Sequence, residues 1–424
     1  MMRIAIVNWT SRKVGGAEIY LDTIASQLER FGVSIAFVCE VDAPENRARI
    51  SLPRDCPIWC VSTLGATSVL RLLRSWQPDL LYCQGLSSPA LEREMVRLAP
   101  AMLFAHGYYG TCISGAKTWQ FPSSRVCAKR FGWRCMLHYY PHRCGGLNPL
   151  TAVNQYRRQS ARLETLRRYR GIIVASEHMR REYLGHGIAH NHIHKLPMPL
   201  PGRDGRLPDR QTYRHSLHGI SKIRTELLFV GRMHHLKGGV LLLEALPIVS
   251  RYLRHPVRLV LAGDGPELLI WQKLAKKIEI GNPDIEIEFV GWRESEALVQ
   301  MFESSDLLVV PSLCPETFGL IGLEGGIYGL PAAAFDVGGI SEWLHDGQNG
   351  HLATDGRPTA AGLADTIAKC VADPIHYSDL CTGAVEIAQN FTVEQHIQSL
   401  IDLIKPTYHE NSFASDGAVA LRPL

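Results

Sequence analysis

The amino-acid sequence predicts an α/β fold with two Rossmann-like, doubly wound parallel-sheet domains that face each other across a cleft. Two observations predict this fold. Short apolar runs alternate with amphipathic, helix-like stretches, and a proline-rich segment near the middle divides this alternation into two halves of similar size. The 424 residues, of which 46% are hydrophobic, are enough to form two packed cores.

The first half begins with an apolar run at 3–8, which is typical of a strand buried on both faces of a parallel sheet. Gly15 and Gly16 open a helix whose apolar residues recur every three or four positions as far as Phe31. Apolar runs at 33–38, 80–82, 102–105 and 172–175 predict the remaining strands of this half. The first domain is therefore predicted to span 1–200.

A proline-rich segment separates the two halves. Its prolines exclude a helix or the interior of a sheet, so we place the domain linker at 201–225. The second domain is predicted at 226–390, with strands at 227–230, 258–262, 285–290, 307–310 and 331–334. We expect a helix at 391–408 to pack back toward the first domain, and residues 409–424 to form a mobile tail.

The composition excludes several classes of protein. The N-terminus lacks the apolar core of a signal peptide and nowhere do 18 apolar residues follow one another, so a cytoplasmic protein is expected. Eleven cysteines, an odd number spread along the chain, favour reduced thiols. The first strand is followed neither by a G-x-G-x-x-G fingerprint nor by a P-loop, and we expect no nicotinamide or flavin cofactor.

Two basic residues follow the first strand of the second half. Arg232 and Lys237, close to Gly231, place a guanidinium and an ammonium at the carboxyl end of that strand, which suits a diphosphate. The alternative is that both charges are solvated on an exposed loop.

The segment from Glu316 to Glu324 favours a diphosphate-binding site over two solvated basic residues. Glu316 and Glu324 are separated by seven residues, so both carboxylates can face the cleft. Between them, Phe318, Gly319 and Leu320 are predicted to begin a helix, where unpaired N–H groups and the helix dipole stabilise an anionic phosphate.

Five motifs occur in order along the chain. They are Gly15-Gly16-Ala17-Glu18, Gly231-Arg232 with Lys237-Gly238, Ala262-Gly263-Asp264-Gly265-Pro266, the Glu316/Glu324 pair and Val337-Gly338-Gly339-Ile340-Ser341-Glu342. In this combination the sequence resembles the family 4 retaining glycosyltransferases of the two-Rossmann-domain (GT-B) type. The resemblance spans residues 15 to 342, and the glutamate pair is its most specific part.

The resemblance implies a role for each motif residue. Arg232 and Lys237 hold the donor diphosphate, Glu316 binds hydroxyls of the transferred sugar, and Glu324 holds the nucleotide ribose. His106, after the strand 102–105, matches an active-site histidine that contacts the donor sugar. The remaining donor-binding residues implied are Gly15, Gly16, Gly231, Asp264, Gly265, Val290, Phe318, Gly319 and Leu320.

The implied reaction is retaining transfer of a hexose-like sugar from a nucleotide diphosphate sugar to an acceptor hydroxyl. Cell-surface polysaccharide or glycolipid synthesis is the expected setting, with a glycan or lipid-linked acceptor. No two aspartates stand in an Asp-x-Asp pattern, so we expect no catalytic metal. The alternatives are a nucleotide-sugar epimerase or a phosphorylase on the same fold, and a non-catalytic scaffold, which predicts eroded motifs.

The two halves carry opposite charge. Residues 1–203 have a formal charge of +14 and residues 204–424 one of −10. Between Lys117 and Arg181 there are 14 Lys and Arg residues and two acids. One helix is predicted to carry Arg157, Arg158, Arg162, Arg167, Arg168 and Arg170. This basic pattern is typical of a protein that binds anionic lipid at the inner face of the plasma membrane. The alternative is a basic face that is simply solvated. The sequence contains no known nucleic-acid-binding module, so we expect no nucleic-acid partner.

The segment 107–150 is interpreted as an insertion. It contains Cys112, Cys127, Cys135 and Cys144, and a tetrahedral structural zinc site would need four such ligands. The spacings lack the close C-x₂-C pairs of common zinc modules, so unlinked thiols are the favoured interpretation and the metal site stays open.

Overall fold

The structure is a computed structural model that describes residues 1–146, 148–200, 224–354 and 357–416. Apart from its last two residues, the predicted linker 201–225 lies outside these residues, and so does 417–424. Two parallel sheets, one in each half of the chain, confirm the predicted α/β fold.

The first domain is built on a seven-stranded sheet. The strands of this half are β1 (Met2–Thr10), β2 (Val33–Val41), β3 (Ile58–Cys60), β4 (Leu80–Gly85), β5 (Ala101–Ala105), β6 (Thr118–Trp119), β7 (Arg125–Val126), β8 (Gly171–Val174) and β9 (Ile193–Lys195). The sheet runs β3-β2-β1-β4-β5-β8-β9 with parallel pairing, while β6 and β7 form a separate antiparallel pair. The order reverses between β1 and β4, and ligands bind at such a point.

The second domain repeats this plan. Its strands are β10 (Thr225–Val230), β11 (Val257–Ala262), β12 (Ile285–Gly291), β13 (Leu307–Val310), β14 (Ala332–Phe335) and β15 (Gly350–Ala353). They pair in parallel in the order β12-β11-β10-β13-β14-β15, so the order reverses between β10 and β13. β13 and β14 are buried along their whole length, as the apolar runs predict.

Helices cover the two sheets. In the first domain they are α1 (Gly16–Leu28), α2 (Val61–Leu64), α3 (Ala66–Trp76), α4 (Pro89–Val96), α5 (Arg134–Tyr139), α6 (Pro149–Leu166) and α7 (Glu177–Gly185). In the second half they are α8 (Gly239–Leu253), α9 (Leu268–Gly281), α10 (Ser295–Ser304), α11 (Ile321–Gly326), α12 (Ala360–Val371), α13 (Pro374–Ala388) and α14 (Val393–Asp416). Helices follow strands in both halves, as doubly wound sheets require.

The last helix links the two halves. In α14, His396 Nδ1 lies 2.8 Å from the carbonyl oxygen of Pro197, and its Nε2 lies 2.8 Å from Tyr20 Oη of α1. α14 continues to Asp416, beyond the predicted helix end at 408. The mobile tail predicted at 409–424 stays a prediction. The contacts hold the second half against the first beside the cleft.

Glu342, in the last of the five sequence motifs, makes another junction between the domains. One of its carboxylate oxygens accepts a hydrogen bond from the backbone N–H of Glu177, at the start of α7, and the other lies 3.0 Å from Lys195 Nζ. A carboxylate at a helix N-terminus is stabilised by the unpaired N–H groups there. The structure therefore gives Glu342 a position at the domain junction.

Candidate functional site

A cleft of about 2520 Å³ lies between the two sheets, with walls from both domains. Sites for one small ligand are typically about 300–1,000 Å³, so this cleft has room for two substrates. It opens at the carboxyl ends of β1 and β10, where ligands of such sheets bind. The predicted site residues that line it are Gly15, Gly16, His106, Gly231, Arg232, Lys237, Asp264, Gly265, Glu316, Gly319, Leu320 and Glu324.

Two predicted donor-binding residues do not line the cleft. Phe318 is fully buried, and its ring lies 5.7 Å from that of Phe391 between centroids. Val290 lies near the end of β12, and the cleft wall there is formed by Trp292 and Arg293. The apolar side chains at these two positions pack into the protein because water disfavours them. That the backbone N–H of Phe318 and the loop at Val290 lie near the donor stays a prediction.

Lys237 and Glu316 form a direct ion pair in the cleft. Lys237 Nζ donates to Glu316 Oε1 at 2.5 Å, and Ser312 Oγ donates to the same oxygen at 2.5 Å. Burial raises the pKa of Glu316, but the Lys237 ammonium and the two hydrogen bonds outweigh it and hold that pKa below its usual range. Burial in turn lowers the pKa of Lys237, and the Glu316 carboxylate more than offsets this. Both side chains are therefore ionised at neutral pH.

Two glycines allow the loops that carry this pair to meet. Gly238 has a φ of +73°, and a Cβ there would lie 1.8 Å from the carbonyl oxygen of Pro311. Gly338 has a φ of +68°, and a Cβ there would lie 2.3 Å from the carbonyl oxygen of Glu316. Any larger residue would push the loops after β10, β13 and β14 apart. The glycines of the sequence motifs thus set the position of Lys237 and Glu316.

Glu324 lies on α11, deeper in the same loop-and-helix segment. Its side chain lines the cleft, and among the described residues it has neither a hydrogen bond nor an ion pair. Burial raises the pKa of Glu324 to about 7. The carboxyl group therefore changes charge near neutral pH and is free to accept hydrogen bonds from a ligand.

Two sources of positive charge accompany Lys237. Arg232 is exposed and lines the cleft just after β10. α11 begins at Ile321, with Gly319 and Leu320 at the cleft surface before it. The N–H groups of Gly322 and Leu323 donate to the carbonyl oxygens of Gly319 and Leu320, so this end attracts negative charge through the helix dipole rather than through unpaired donors. The site is suited to an anion such as a diphosphate.

His106 is held in one orientation on the opposite wall. Its Nε2 lies 2.7 Å from Gln84 Oε1, and its ring stacks on Phe104 with 4.8 Å between centroids. The amide oxygen can only accept, so Nε2 carries the proton and Nδ1 remains an acceptor. Burial lowers the pKa of His106 to about 3, which keeps the ring neutral at pH 7.

The Gly15-Gly16 loop is fixed by Glu18, which is 2% exposed. One of its oxygens accepts from Asn8 Nδ2 at 3.1 Å and from Trp9 Nε1 at 2.9 Å, while the other accepts from the Gly15 N–H at 3.0 Å. These bonds hold the glycine backbone at the cleft surface. Glu18 belongs to the first sequence motif, and its buried side chain fixes the conformation of the glycine loop.

Sequence reasoning missed two polar residues of the site. Gln84 is the next-to-last residue of the buried strand β4, and Ser312 lies two residues after the buried strand β13. A polar residue at the end of an apolar run or just beyond it marks the carboxyl end of a strand, so this signal could have identified both.

The six clustered arginines at 157–170 are divided between α6 and the loop that follows it. α6 ends at Leu166, so the prediction that all six arginines lie on one helix is wrong, since three of them follow it. On α6, Arg158 and Arg162 each donate to a carbonyl oxygen of the 86–87 loop at 2.7 Å and line the cleft. The guanidinium of Arg162 also lies 4.9 Å from the centre of the Tyr109 ring.

Exposed apolar side chains also occur in the segment before α6. Trp133 and Leu137 are 63% and 62% exposed, and with Tyr140 they recur at helical spacing on and beside α5. Arg134 lies over the Trp133 ring at 5.7 Å from its centre. Among the described helices, none is both long and apolar enough to cross a membrane.

Two family profiles match the chain, one in each half. The profile described as Glycosyltransferase Family 4 matches residues 14–200, and the profile described as Glycosyl transferases group 1 matches residues 224–373. The first range contains every strand of the seven-stranded sheet except β1, and the second contains all six strands of the other sheet; together the two ranges cover most of the chain.

Curated and solved proteins are similar to the chain as well. The D-inositol 3-phosphate glycosyltransferase of Rhodococcus erythropolis is 30% identical over 219 residues, covering 49% of this chain and 48% of that relative. The chain thus spans about half the length of this relative. Anabaena HepE, crystallised with UDP, superposes with a TM-score of 0.66 at 19% identity, covering 96% of this chain and 100% of that one. Sucrose-phosphate synthase from Thermosynechococcus elongatus has a TM-score of 0.69 at 17% identity, covering 97% and 100%.

Proposed function

The chain belongs to the family 4 glycosyltransferases of the GT-B fold, and from this membership we propose that it transfers a sugar from a nucleotide diphosphate sugar to an acceptor hydroxyl with retention of anomeric configuration. The observation that carries the proposal is the ion pair of Lys237 with Glu316 in the cleft, where the pair can contact diphosphate and sugar at once.

The donor diphosphate is proposed to bind against the second domain. Lys237, the exposed guanidinium of Arg232 and the loop at the N-terminal end of α11 all line the cleft. When the bond from sugar C1 to the phosphate oxygen breaks, negative charge grows on that phosphate and these groups stabilise it. Because these positive groups can take up the charge, we propose that the transfer does not depend on a metal.

The two carboxylates are proposed to hold the two ends of the donor. Glu316 is ionised and already accepts two hydrogen bonds on Oε1, so Oε2 is open to hydroxyls of the transferred sugar. Glu324, with no hydrogen-bond partner of its own in the described part of the chain, accepts from the hydroxyls of the ribose. The neutral ring of His106 contacts the sugar from the first domain and accepts through Nδ1.

The acceptor is proposed to enter along the first domain. Arg158 and Arg162 line the cleft there, which suits an acceptor that carries phosphate. Inositol phosphate is the first acceptor to test, because a relative of the chain is named for it. A lipid-linked or glycan acceptor of cell-surface synthesis fits the same wall, with the basic and aromatic surface around Trp133 resting on anionic lipid.

A thermal-shift panel tests the donor assignment. The wild type is heated with UDP, GDP and ADP in turn, and a ligand at 100 times its dissociation constant should stabilise it by about 2.7 kcal/mol. Lys237→Ala should lose most of the shift, whereas Lys276→Ala, which removes an exposed lysine of α9, should keep it. Equal shifts for both variants, or none with any nucleotide, would overturn the proposal.

A further inference from the structure

One segment of the first domain stands apart from its sheet. The chain from 106 to 148 connects β5 to α6, and its described residues form only the short pair β6–β7 and the six-residue helix α5. Their buried apolar side chains make a separate small cluster with few members, among them Ile113, Phe131 and Tyr139. So small a core contributes little stability, and small units of this kind commonly need a metal or a disulfide.

The four cysteines of this segment surround one cavity. Cys112, Cys127, Cys135 and Cys144 line a space of about 20 Å³ together with His138, and all four are unlinked. A space of that size holds about one water molecule or one ion.

The sulfur atoms are held by weak contacts. Cys135 Sγ lies 3.8 Å from the carbonyl oxygen of Arg130, and Cys144 Sγ lies 3.8 Å from that of His138. Among the described residues, no three histidine, cysteine or acidic side chains are grouped as metal ligands in this arrangement. A thiol is a weak donor, so turning these side chains toward the cavity costs little.

The protein around the cavity carries an excess of positive charge. Residues 106–146 contain six Lys and Arg residues and no Asp or Glu. Lys117, which is 2% exposed, lines the cavity, and its backbone N–H donates to Cys112 Sγ at 3.3 Å. The Lys117 ammonium itself is paired with the Glu182 carboxylate of α7. Four thiolates around a divalent ion leave a charge of −2, which this basic segment offsets.

We propose that Cys112, Cys127, Cys135 and Cys144 turn inward and bind one Zn²⁺ as a structural site. Four thiol protons leave as four Zn–S bonds of about 2.3 Å form in a tetrahedral arrangement, with no change in oxidation state. An all-thiolate set is typical of zinc, and the ion ties together positions 32 residues apart in a segment whose own apolar cluster is small.

The ion stabilises the acceptor side of the cleft. Tyr139, in the same small cluster, donates from Oη to Gln155 Oε1 at 2.9 Å, and Gln155 lines the cleft. Ile113 and Ser114, next to Cys112, line it as well. Loss of zinc should therefore loosen this wall and leave the nucleotide-binding groups of the second domain in place.

Metal analysis of the full chain tests the proposal without any activity assay. Protein purified under reducing conditions should contain one equivalent of zinc by plasma mass spectrometry. Cys127→Ser and Cys135→Ser should lose it, while Cys60→Ser, a half-buried cysteine outside the cluster, should keep it. A wild type that is purified without stoichiometric zinc, and takes up no Zn²⁺ after reduction, overturns the proposal, and so does a disulfide between two of the four.

Substitution with Co²⁺ covers the case in which the serine variants do not fold. The wild-type chain loaded with Co²⁺ should show the strong visible bands of tetrahedral thiolate coordination. Zinc removal by a chelator should speed proteolysis within 106–148 and leave the UDP thermal shift unchanged, and added Zn²⁺ should reverse it. Weak octahedral Co²⁺ bands, or chelation that leaves proteolysis unchanged, would contradict a thiolate site.

Discussion

Nucleotide binding should be coupled to proton release from Glu324. The carboxyl group lies in the cleft, and burial raises its pKa to about 7, so near pH 7 it is about half protonated. Ribose hydroxyls donate to the ionised carboxylate and thereby favour it. Binding of the nucleoside diphosphate identified in the thermal-shift panel, written as UDP below, should then release up to about 0.5 proton from this group at pH 7 and almost none at pH 9.

Calorimetry measures this proton directly. UDP is titrated into the protein in two buffers with different ionisation enthalpies, and the difference in observed heat gives the number of protons released. The phosphate of UDP also titrates, so the result is the difference between the wild type and Glu324→Gln. Glu303→Gln, which removes an exposed carboxylate of the same domain, is the matched control and should behave as the wild type.

The same pKa predicts the pH dependence of stability. Folding raises the pKa of Glu324, so the folded state binds the proton more tightly than the unfolded chain, and the free energy of unfolding falls as pH rises from about 4 to about 7. Glu324→Gln removes this loss, so at pH 8 it should exceed the wild type in stability by at most about 3 kcal/mol. At pH 4 the two should be equal. Identical proton release in wild type and variant, with identical pH profiles, would refute the assignment of Glu324.

Three further predictions follow from the same structure. Lys237→Ala and Arg232→Ala should each lower turnover roughly 10²-fold, as expected when one stabiliser of transition-state charge is removed; normal kcat/KM in either would exclude its diphosphate role. Glu316→Gln should impair sugar transfer but leave UDP binding nearly intact. Because Glu316 contacts Lys237, the double variant Lys237→Ala/Glu316→Gln should lose less turnover than the product of the two single losses, as measured in a double-mutant cycle. Sedimentation with anionic vesicles should decrease in Trp133→Ser/Leu137→Ser and at high salt, whereas equal binding to neutral vesicles would contradict the membrane proposal.

The sheets could be predicted because their strands are continuous apolar runs. The predicted run at 307–310 coincides with β13, and the run at 33–38 lies within β2. β3, β9 and β15 were not predicted, since each lies at or next to an edge of its sheet and is short or only partly buried. An edge strand packs against fewer neighbours, so its sequence carries less of the apolar signal.

The sequence predicted which charged residues lie in the cleft better than it predicted which of them contact each other. The glutamates and the two basic residues line the cleft as the motifs implied. The motif pattern did not indicate that Lys237 and Glu316 bind each other, because that contact depends on the close approach of separate loops at Gly238 and Gly338. The side chain of Phe318 packs in the core, which leaves its backbone N–H for the predicted contact with the donor phosphate.

A crystal structure with bound nucleoside diphosphate tests the central claim most directly. The nucleotide identified in the thermal-shift panel is co-crystallised with the wild type. We predict that its diphosphate oxygens lie about 3 Å from Lys237 Nζ and the Arg232 guanidinium, with the ribose hydroxyls at Glu324. A diphosphate bound elsewhere in the cleft, with Lys237 still paired only to Glu316, would contradict the account.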